Sequence, residues 1–160
     1  MNAVIADRYR LEAAFPPSDA QRERAIGMWM QEQVFPDLQQ ATRRAEQLVV
    51  LLNRDDGDLA GVATAVDVFA PVAKCRVWMY RTFLRPADRR SLAAFHVLDE
   101  AFRVLERNTP QGGPCGVFLN TENLRLKRPG VERRFARMGW HYLGINPRGQ
   151  ATWLRRFESA

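Results

Sequence analysis

Tyr80 to Leu105 reads YRTFLRPADRRSLAAFHVLDEAFRVL, and this stretch decides the fold. An apolar strand runs into Arg85-Pro86, and a short loop with two adjacent arginines, Arg89 and Arg90, follows it. The loop opens into an amphipathic helix whose predicted core face consists of Phe95, Leu98, Phe102 and Leu105. The N-terminus of a helix attracts anions, and guanidinium groups beside it add to that attraction. The stretch therefore predicts an anion site, with phosphate as the expected anion.

The composition is that of a single soluble domain with a substantial core. The chain has 160 residues, of which 46% are hydrophobic and 26% are charged. No apolar run is long enough to span a membrane, which takes about 18 to 20 residues. The first residues lack a basic segment ahead of a long apolar one, so we expect no signal peptide.

The formal net charge of +6 favours anionic partners. Nearly all of the basic residues are arginines, since the chain has two lysines, Lys74 and Lys127. Arginine binds phosphate through two parallel hydrogen bonds, but a high-GC genome also yields an arginine-rich protein. Nucleic acid is thus an open but less favoured partner.

Cys75 and Cys115 are the two cysteines, which is too few for a disulfide framework. Neither has a cysteine or histidine neighbour at metal-ligand spacing, so we expect no metal site. A reactive thiol needs a lowered pKa and access to solvent. Cys115 is therefore predicted to be a small buried apolar residue, and the protein is predicted to be cytoplasmic.

The first half of the chain predicts one strand, two helices and three further strands. Tyr9 to Phe15 alternates like a half-buried strand. Ser18 and Gln21 form a capping box for a helix that carries Ile26, Trp29, Met30 and Val34, and Asp37 caps a second helix. The strands that follow are predicted at Leu48–Leu52, Leu59–Phe69 and Cys75–Leu84, with a hairpin turn at Asp55–Asp58.

The second half predicts the long helix, a strand, a short helix and two strands. The strands are predicted at Cys115–Thr121, Trp140–Ile145 and Ala151–Phe157. The short helix has Val131, Phe135 and Met138 facing inward and ends at Gly139. The element order is thus β-α-α-β-β-β-α-β-α-β-β. It indicates an α/β protein with a mixed α+β sheet and helices on its faces, forming one domain over residues 1–160.

This order, with an arginine-proline pair between the fourth strand and the long helix, resembles the GNAT acetyltransferase superfamily. The resemblance covers about Tyr9 to Phe157, and the chain is similar to a divergent member. One motif is Phe83-Leu84-Arg85-Pro86 leading into Arg89–Ala94, which resembles the family's cofactor loop. The other is Arg134–Trp140, which resembles its final helix with a glycine-aromatic end.

The resemblance implies acetyl-CoA as acyl donor and a binding site in the opening stretch. Phe83 and Leu84 are expected to contact pantetheine through their main chains, and Asn123 to hydrogen-bond a cofactor amide. The pyrophosphate is expected to lie in a cradle formed by Arg89, Arg90, Ser91, Leu92, Ala93 and Ala94.

Three departures from the family pattern concern binding and catalysis. Leu92 stands where the family has a glycine, and Arg90 where a small residue is frequent. Phe135 stands where the family has a tyrosine that acts as general acid. The family's fourth strand often carries a glutamate that acts on the amine, and the predicted fourth strand here contains none. Glu122 is the candidate base and Tyr80 the candidate proton donor. A packed aromatic and an exposed loop glutamate are the alternatives for these two residues.

The predicted function is acyl transfer from acetyl-CoA to a small-molecule or peptide amine. A catalytically inactive GNAT-fold binding domain and a nucleic-acid-associated GNAT-fold protein are the alternatives. The sequence leaves the acceptor open, and also the oligomeric state, for which a homodimer is one alternative.

Overall fold

A computed structural model describes residues 3–5, 8–89, 92–121 and 129–158 of the chain. Its strands are β1 (Ala3–Ile5), β2 (Tyr9–Ala13), β3 (Leu48–Arg54), β4 (Leu59–Ala70), β5 (Cys75–Leu84), β6 (Gly116–Thr121), β7 (His141–Ile145) and β8 (Ala151–Arg156). Its helices are α1 (Asp19–Gln31), α2 (Leu38–Ala45), α3 (Ala93–Asn108) and α4 (Pro129–Arg137), and a 3-10 turn spans Pro86–Asp88.

The strands are hydrogen-bonded in the order β1-β2-β3-β4-β5-β6-β8-β7. β5 and β6 are parallel, with Trp78 opposite Val117 and Met79 opposite Phe118. β2 and β3, and likewise β6 and β8, are antiparallel. A parallel pair needs a long crossover, and α3 lies in the connection between β5 and β6. The predicted mixed α/β sheet is confirmed.

Two compact units divide the chain. The first comprises Met1–Ala65 and Arg81–Asn108, and the second comprises Val66–Tyr80 and Thr109–Ala160. β4 and β5 each contribute residues to both units. The assignment of residues 1–160 to one domain stays a prediction.

In the first unit, side-chain caps start α1 and α2. The Ser18 Oγ accepts from the Gln21 N–H at 3.1 Å, and the Gln21 Oε1 accepts from the Ser18 N–H at 3.0 Å. The Asp37 carboxylate accepts from the Gln40 N–H at 2.8 Å. Both caps confirm the sequence prediction, because each satisfies an N–H group that has no acceptor within its helix.

The first unit's core lies where α1 and α2 meet β3 and β4, and burial of this apolar surface is the main stabilising term. The buried cluster consists of Ala14, Ala25, Met28, Trp29, Ala41, Ala45, Leu48, Leu51, Leu59 and Val62. α3 packs on β2 and β3. α1 ends at Gln31, so Val34 lies in the α1–α2 loop rather than on the helix, and Met30 is exposed. These two helix-face predictions were wrong.

The second unit has its own apolar cluster of Ala70, Ala73, Val77, Phe118 and Leu154. An aromatic group lies beside α4, where Phe135 stacks on Trp153 with ring centroids 5.1 Å apart. Gly139 follows α4 with a φ of +91°, a left-handed conformation that favours glycine. The predicted stop of this helix is thus confirmed.

The structure corrects two further predictions. β1 pairs with β2 and was not predicted, because three residues carry too little periodicity to be recognised as a strand. Cys75 and Cys115 form a disulfide, with Cα atoms 6.6 Å apart, and both are half-buried. Cys115 is therefore not an isolated apolar residue. In the described part of the chain, no helix is long and apolar enough to cross a membrane.

Candidate functional site

The end of β5 lies tightly against β4. The Arg85 N–H donates to the Ala60 carbonyl at 2.8 Å, so the main chain of residue 85 faces β4. A Cβ at Gly61 would lie 2.6 Å from the Phe83 oxygen and 2.3 Å from the Leu84 Cδ2, so only glycine allows this approach. Hydrogen-bonding direction alternates along a strand. The main chain of Phe83 therefore faces β4, and that of Leu84 faces the opposite direction.

Arg85 ties this strand end to α1. Its Nε donates to the Leu59 carbonyl at 2.7 Å, and its Nη1 lies 2.7 Å from the Glu32 carboxylate. The Gln31 side chain accepts from the same Nη1 at 3.1 Å. Because its Nε and Nη1 bind other groups of the first unit, Arg85 has a structural role there.

Asp88 fixes the loop between β5 and α3. Only 5% of Asp88 is exposed, and its carboxylate accepts from the Tyr9 hydroxyl at 2.7 Å. Arg54 reaches the same carboxylate with its Nη2 at 2.5 Å and its Nε at 3.3 Å. Burial on its own raises the pKa of Asp88, but the hydrogen bonds from Arg54 and Tyr9 outweigh it and lower that pKa below its usual value. The loop is therefore anchored by a buried, ionised carboxylate.

Arg89 folds back onto the end of β5. Its Nε donates to the Leu84 carbonyl at 2.9 Å, and its guanidinium carbon lies 5.4 Å from the centroid of the Phe83 ring. The residue is exposed. None of the ion pairs within the described ranges includes Arg89. Its guanidinium is thus held in place and can still donate to an anion.

α3 begins at Ala93, four residues after Arg89. Ala93 is buried, Ala94 is half-buried, and Leu92 is 57% exposed. A leucine side chain in solvent leaves the local main chain without a glycine's freedom to approach a ligand. Arg90 and Ser91 lie outside the described residues. Contacts thus join Arg89 to Phe83 and Leu84, while Leu92, Ala93 and Ala94 lie at the start of α3 in the same unit.

The predicted catalytic residues are less well defined. Tyr80 belongs to the second unit and is 7% exposed. Glu122 and Asn123 lie outside the described residues. Phe135 is 2% exposed within its aromatic group and has no ionisable proton, so it serves packing.

Sequence reasoning missed the contacts that position this loop. Asp88 is separated from Arg54 by 34 residues and from Tyr9 by 79. An aspartate in a loop ordinarily indicates a turn or an exposed charge. The sequence around Asp88 carries no signal of its burial, because burying a charge is favourable only with partners such as Arg54 and Tyr9, which lie far away in the chain.

No protein-family model matches the sequence, and neither does any curated protein. Solved structures do match across nearly the whole chain. A protein from Bordetella pertussis, provisionally named a GnaT-family acetyltransferase, has a TM-score of 0.64 and 17% identity over 96% of this chain and 97% of that one. The ribosomal L7/L12 alpha-N-protein acetyltransferase RimL, solved with coenzyme A, has a TM-score of 0.62 and 11% identity, with both chains covered fully.

A third match is a GNAT-family acetyltransferase from Listeria monocytogenes, with a TM-score of 0.58 and 14% identity over 98% and 99% of the two chains. The chain has the GNAT acetyltransferase fold. The β5–loop–α3 segment of this fold contains one of the two motifs on which the sequence resemblance was based.

Proposed function

We propose that the chain is an N-acyltransferase that transfers an acetyl group from acetyl-CoA to an amine. Whole-chain similarity to acetyltransferase structures supports this reaction class. The observation that carries the proposal is Arg89, a pre-positioned guanidinium between the end of β5 and the start of α3.

Arg89 and the first turn of α3 fit the chemistry of a pyrophosphate. The exposed guanidinium supplies positive charge and paired donors. α3 is 16 residues long, and its N-terminus carries the positive end of the helix dipole. Arg90 and Ser91, with Leu92, Ala93 and Ala94, complete the proposed cradle. The Asp88 anchor reduces the entropy lost on binding, since it already holds the loop.

The main chain at the end of β5 is the proposed contact for pantetheine. Leu84 faces away from β4 and is the stronger candidate, while Phe83 contributes its ring beneath Arg89. Asn123 is the proposed partner of a cofactor amide. Each contact positions the acyl group relative to the acceptor, and positioning alone contributes a large share of many enzymatic rates.

Acetyl-CoA supplies the acyl group already activated as a thioester. Glu122 would accept the proton of the attacking amine, and Tyr80 would return a proton to the departing thiolate. We propose a small-molecule or peptide amine as acceptor and a cytoplasmic location, in which the Cys75–Cys115 disulfide would be subject to reduction.

Thermal unfolding with and without acetyl-CoA tests the donor, because a ligand that binds the folded state raises Tm. We expect Tm to rise by several degrees at about 1 mM acetyl-CoA. The rise should be smaller for the double variant Arg89→Ala/Arg90→Ala. No rise for the unaltered protein at millimolar acetyl-CoA would overturn the proposal.

A catalytically inactive binding domain is the second candidate, and Phe135 favours it. This residue occupies the family's acid position and is committed to stacking on Trp153. Mass spectrometry of amine mixtures incubated with protein and acetyl-CoA separates the two. Acetylated product supports the enzyme, whereas a Tm rise without any product supports the binding domain.

A further inference from the structure

The two cysteines of the second unit lie on neighbouring strands. Cys75 begins β5, and Cys115 directly precedes β6. Their Cα atoms are 6.6 Å apart, a separation that a disulfide can span without any movement of the backbone. Both residues are half-buried, so neither is sealed inside the core. The pair is therefore a candidate for exchange with thiols in solution.

Main-chain hydrogen bonds hold Cys115 beside β5 without any help from the disulfide. The Cys115 N–H donates to the Arg76 carbonyl at 2.8 Å, and the Cys115 carbonyl accepts from the Phe157 N–H at 3.0 Å. Neither bond involves a sulfur atom, so both persist when the disulfide is reduced. The two thiols then remain neighbours at a high effective concentration, which favours their oxidation back to the disulfide.

The side chain of Arg156 reaches both sulfur atoms. Its Nη1 lies 3.5 Å from the Cys115 Sγ and 3.8 Å from the Cys75 Sγ. The strand register explains this position, because Arg156 of β8 lies opposite Gly116, the residue after Cys115. None of the ion pairs among the described residues includes Arg156. Within that part of the chain, no carboxylate neutralises the charge beside the sulfurs.

The position of Arg156 has a consequence for the reduced form of the pair. A guanidinium group near a thiol stabilises the thiolate and so lowers the thiol pKa, whereas apolar surroundings raise it. Here the second unit's apolar cluster packs against the cysteines but leaves them half-exposed. An opposite charge within about 4 to 6 Å lowers a pKa by about one to three. We expect the lower end of that range for Cys115, because Arg156 is exposed.

Other charged residues around the pair do not cancel this effect. Arg76 is paired with Asp67, and it lies on the opposite face of the sheet from the cysteine that precedes it. Lys74 and His141 are exposed, and any charge they carry is positive and acts in the same direction as Arg156. Glu158 lies beyond the end of β8 and is exposed, so solvent and salt screen its charge.

We propose that Cys75 and Cys115 form a reversible oxidation site that exchanges with a small-molecule thiol and its disulfide, and that Arg156 stabilises the Cys115 thiolate. The alternative is a permanent structural crosslink. Disulfides that occur in a reducing compartment are usually transient or redox-sensing, so the proposed cytoplasmic location favours the reversible site. The inference does not depend on the proposed acyl transfer.

The exchange balances as two successive displacements at sulfur. The thiolate of the small molecule attacks the Cys75 Sγ, the Cys75–Cys115 bond breaks, and its electron pair leaves on the Cys115 Sγ beside Arg156. A second small thiolate attacks the outer sulfur of the mixed disulfide and releases Cys75 as a thiolate, which takes a proton from water. The protein pair gains two electrons, and the two small thiols leave as their disulfide.

Glutathione is a suitable probe of reversibility. The folded, oxidised protein would be incubated with reduced glutathione, and a reduced sample with oxidised glutathione, before free thiols are alkylated and counted by mass spectrometry. We expect about 10 mM reduced glutathione to open the disulfide without denaturant, and oxidised glutathione to restore it. A disulfide that resists reduction in the folded protein, although the same glutathione reduces it in urea, would be a structural crosslink and would overturn the proposal.

The alkylation rate of the reduced protein tests Arg156. A pKa lower by about one raises the thiolate fraction about tenfold near neutral pH, and the less basic thiolate is intrinsically about threefold less reactive. We therefore expect Cys115 to react with iodoacetamide about threefold faster in the unaltered protein than in Arg156→Gln. Arg148→Gln is the matched control, because it removes the same charge from the turn at the other end of β8.

Two further measurements separate the charge of Arg156 from its packing. Arg156→Lys keeps the positive charge and should keep most of the rate. In urea, Cys115 should react at the same rate in all four proteins, because the unfolded chain no longer holds residue 156 beside the sulfurs. Equal rates for the folded unaltered protein and Arg156→Gln would overturn the role of Arg156, and so would a loss that Arg156→Lys does not recover.

Discussion

The two ends of β5 are fixed by different chemistry. At its start, a disulfide joins Cys75 to Cys115, and Arg76 pairs with Asp67 through an Nε–Oδ1 bond of 3.0 Å. At its end, charged side chains hold the chain: Asp88 is bound by Arg54 and Tyr9, and Arg89 is bound to the Leu84 carbonyl. A disulfide offers a ligand no strong hydrogen-bond donor. A guanidinium group that is fixed through one N–H still has other N–H groups that can donate to a ligand. The difference is the reason why we propose the end of β5, rather than its start, as the binding site for acetyl-CoA.

Breaking the covalent end should have the largest effect on stability. Cys75→Ser removes a crosslink between residues 40 positions apart. From the loop-closure entropy of the unfolded chain, we expect the unfolding free energy to fall by roughly 4 kcal/mol. Denaturant unfolding of the oxidised protein measures the loss. In a reducing buffer the variant and the unaltered protein should have equal unfolding free energies, and a difference that persists there would contradict the assignment.

Breaking the ionic end should cost somewhat less. Asp88→Asn leaves Arg54 without its anionic partner and should lower the unfolding free energy by about 2 to 3 kcal/mol. Asp67→Asn is the matched control at the start of β5, where the pair with Arg76 is exposed and contributes less than about 1 kcal/mol. Equal losses in the two variants would show that Asp88 is not an anchor.

Acid should weaken the ionic end selectively. Because the folded pKa of Asp88 lies below its unfolded value, its stabilisation is complete above the unfolded pKa and is lost as pH falls through the folded one. The gap in unfolding free energy between the unaltered protein and Asp88→Asn should therefore shrink below about pH 4. A difference in unfolding free energy that stays constant down to pH 2 would contradict the conclusion that Asp88 stabilises the protein in its ionised form.

The sequence predicts the local features of this comparison and misses the long-range ones. The Ser18–Gln21 cap and the Gly139 helix stop depend on residues within four positions of each other, so a single sequence reveals them. The Asp88 anchor and the disulfide join residues 34 to 79 apart. The sequence does not distinguish a buried charged loop residue from a solvated one. It also does not indicate whether two distant cysteines form a disulfide.

The most direct test of the central claim, that the end of β5 binds an acyl-CoA, is a calorimetric titration of acetyl-CoA into Arg89→Gln. Losing a positioned guanidinium should weaken binding by roughly tenfold or more. The unfolding free energy should fall by only about 1 kcal/mol, because Arg89→Gln loses one hydrogen bond of an exposed side chain. Unchanged affinity in Arg89→Gln, with the unaltered protein binding, would contradict the proposed site.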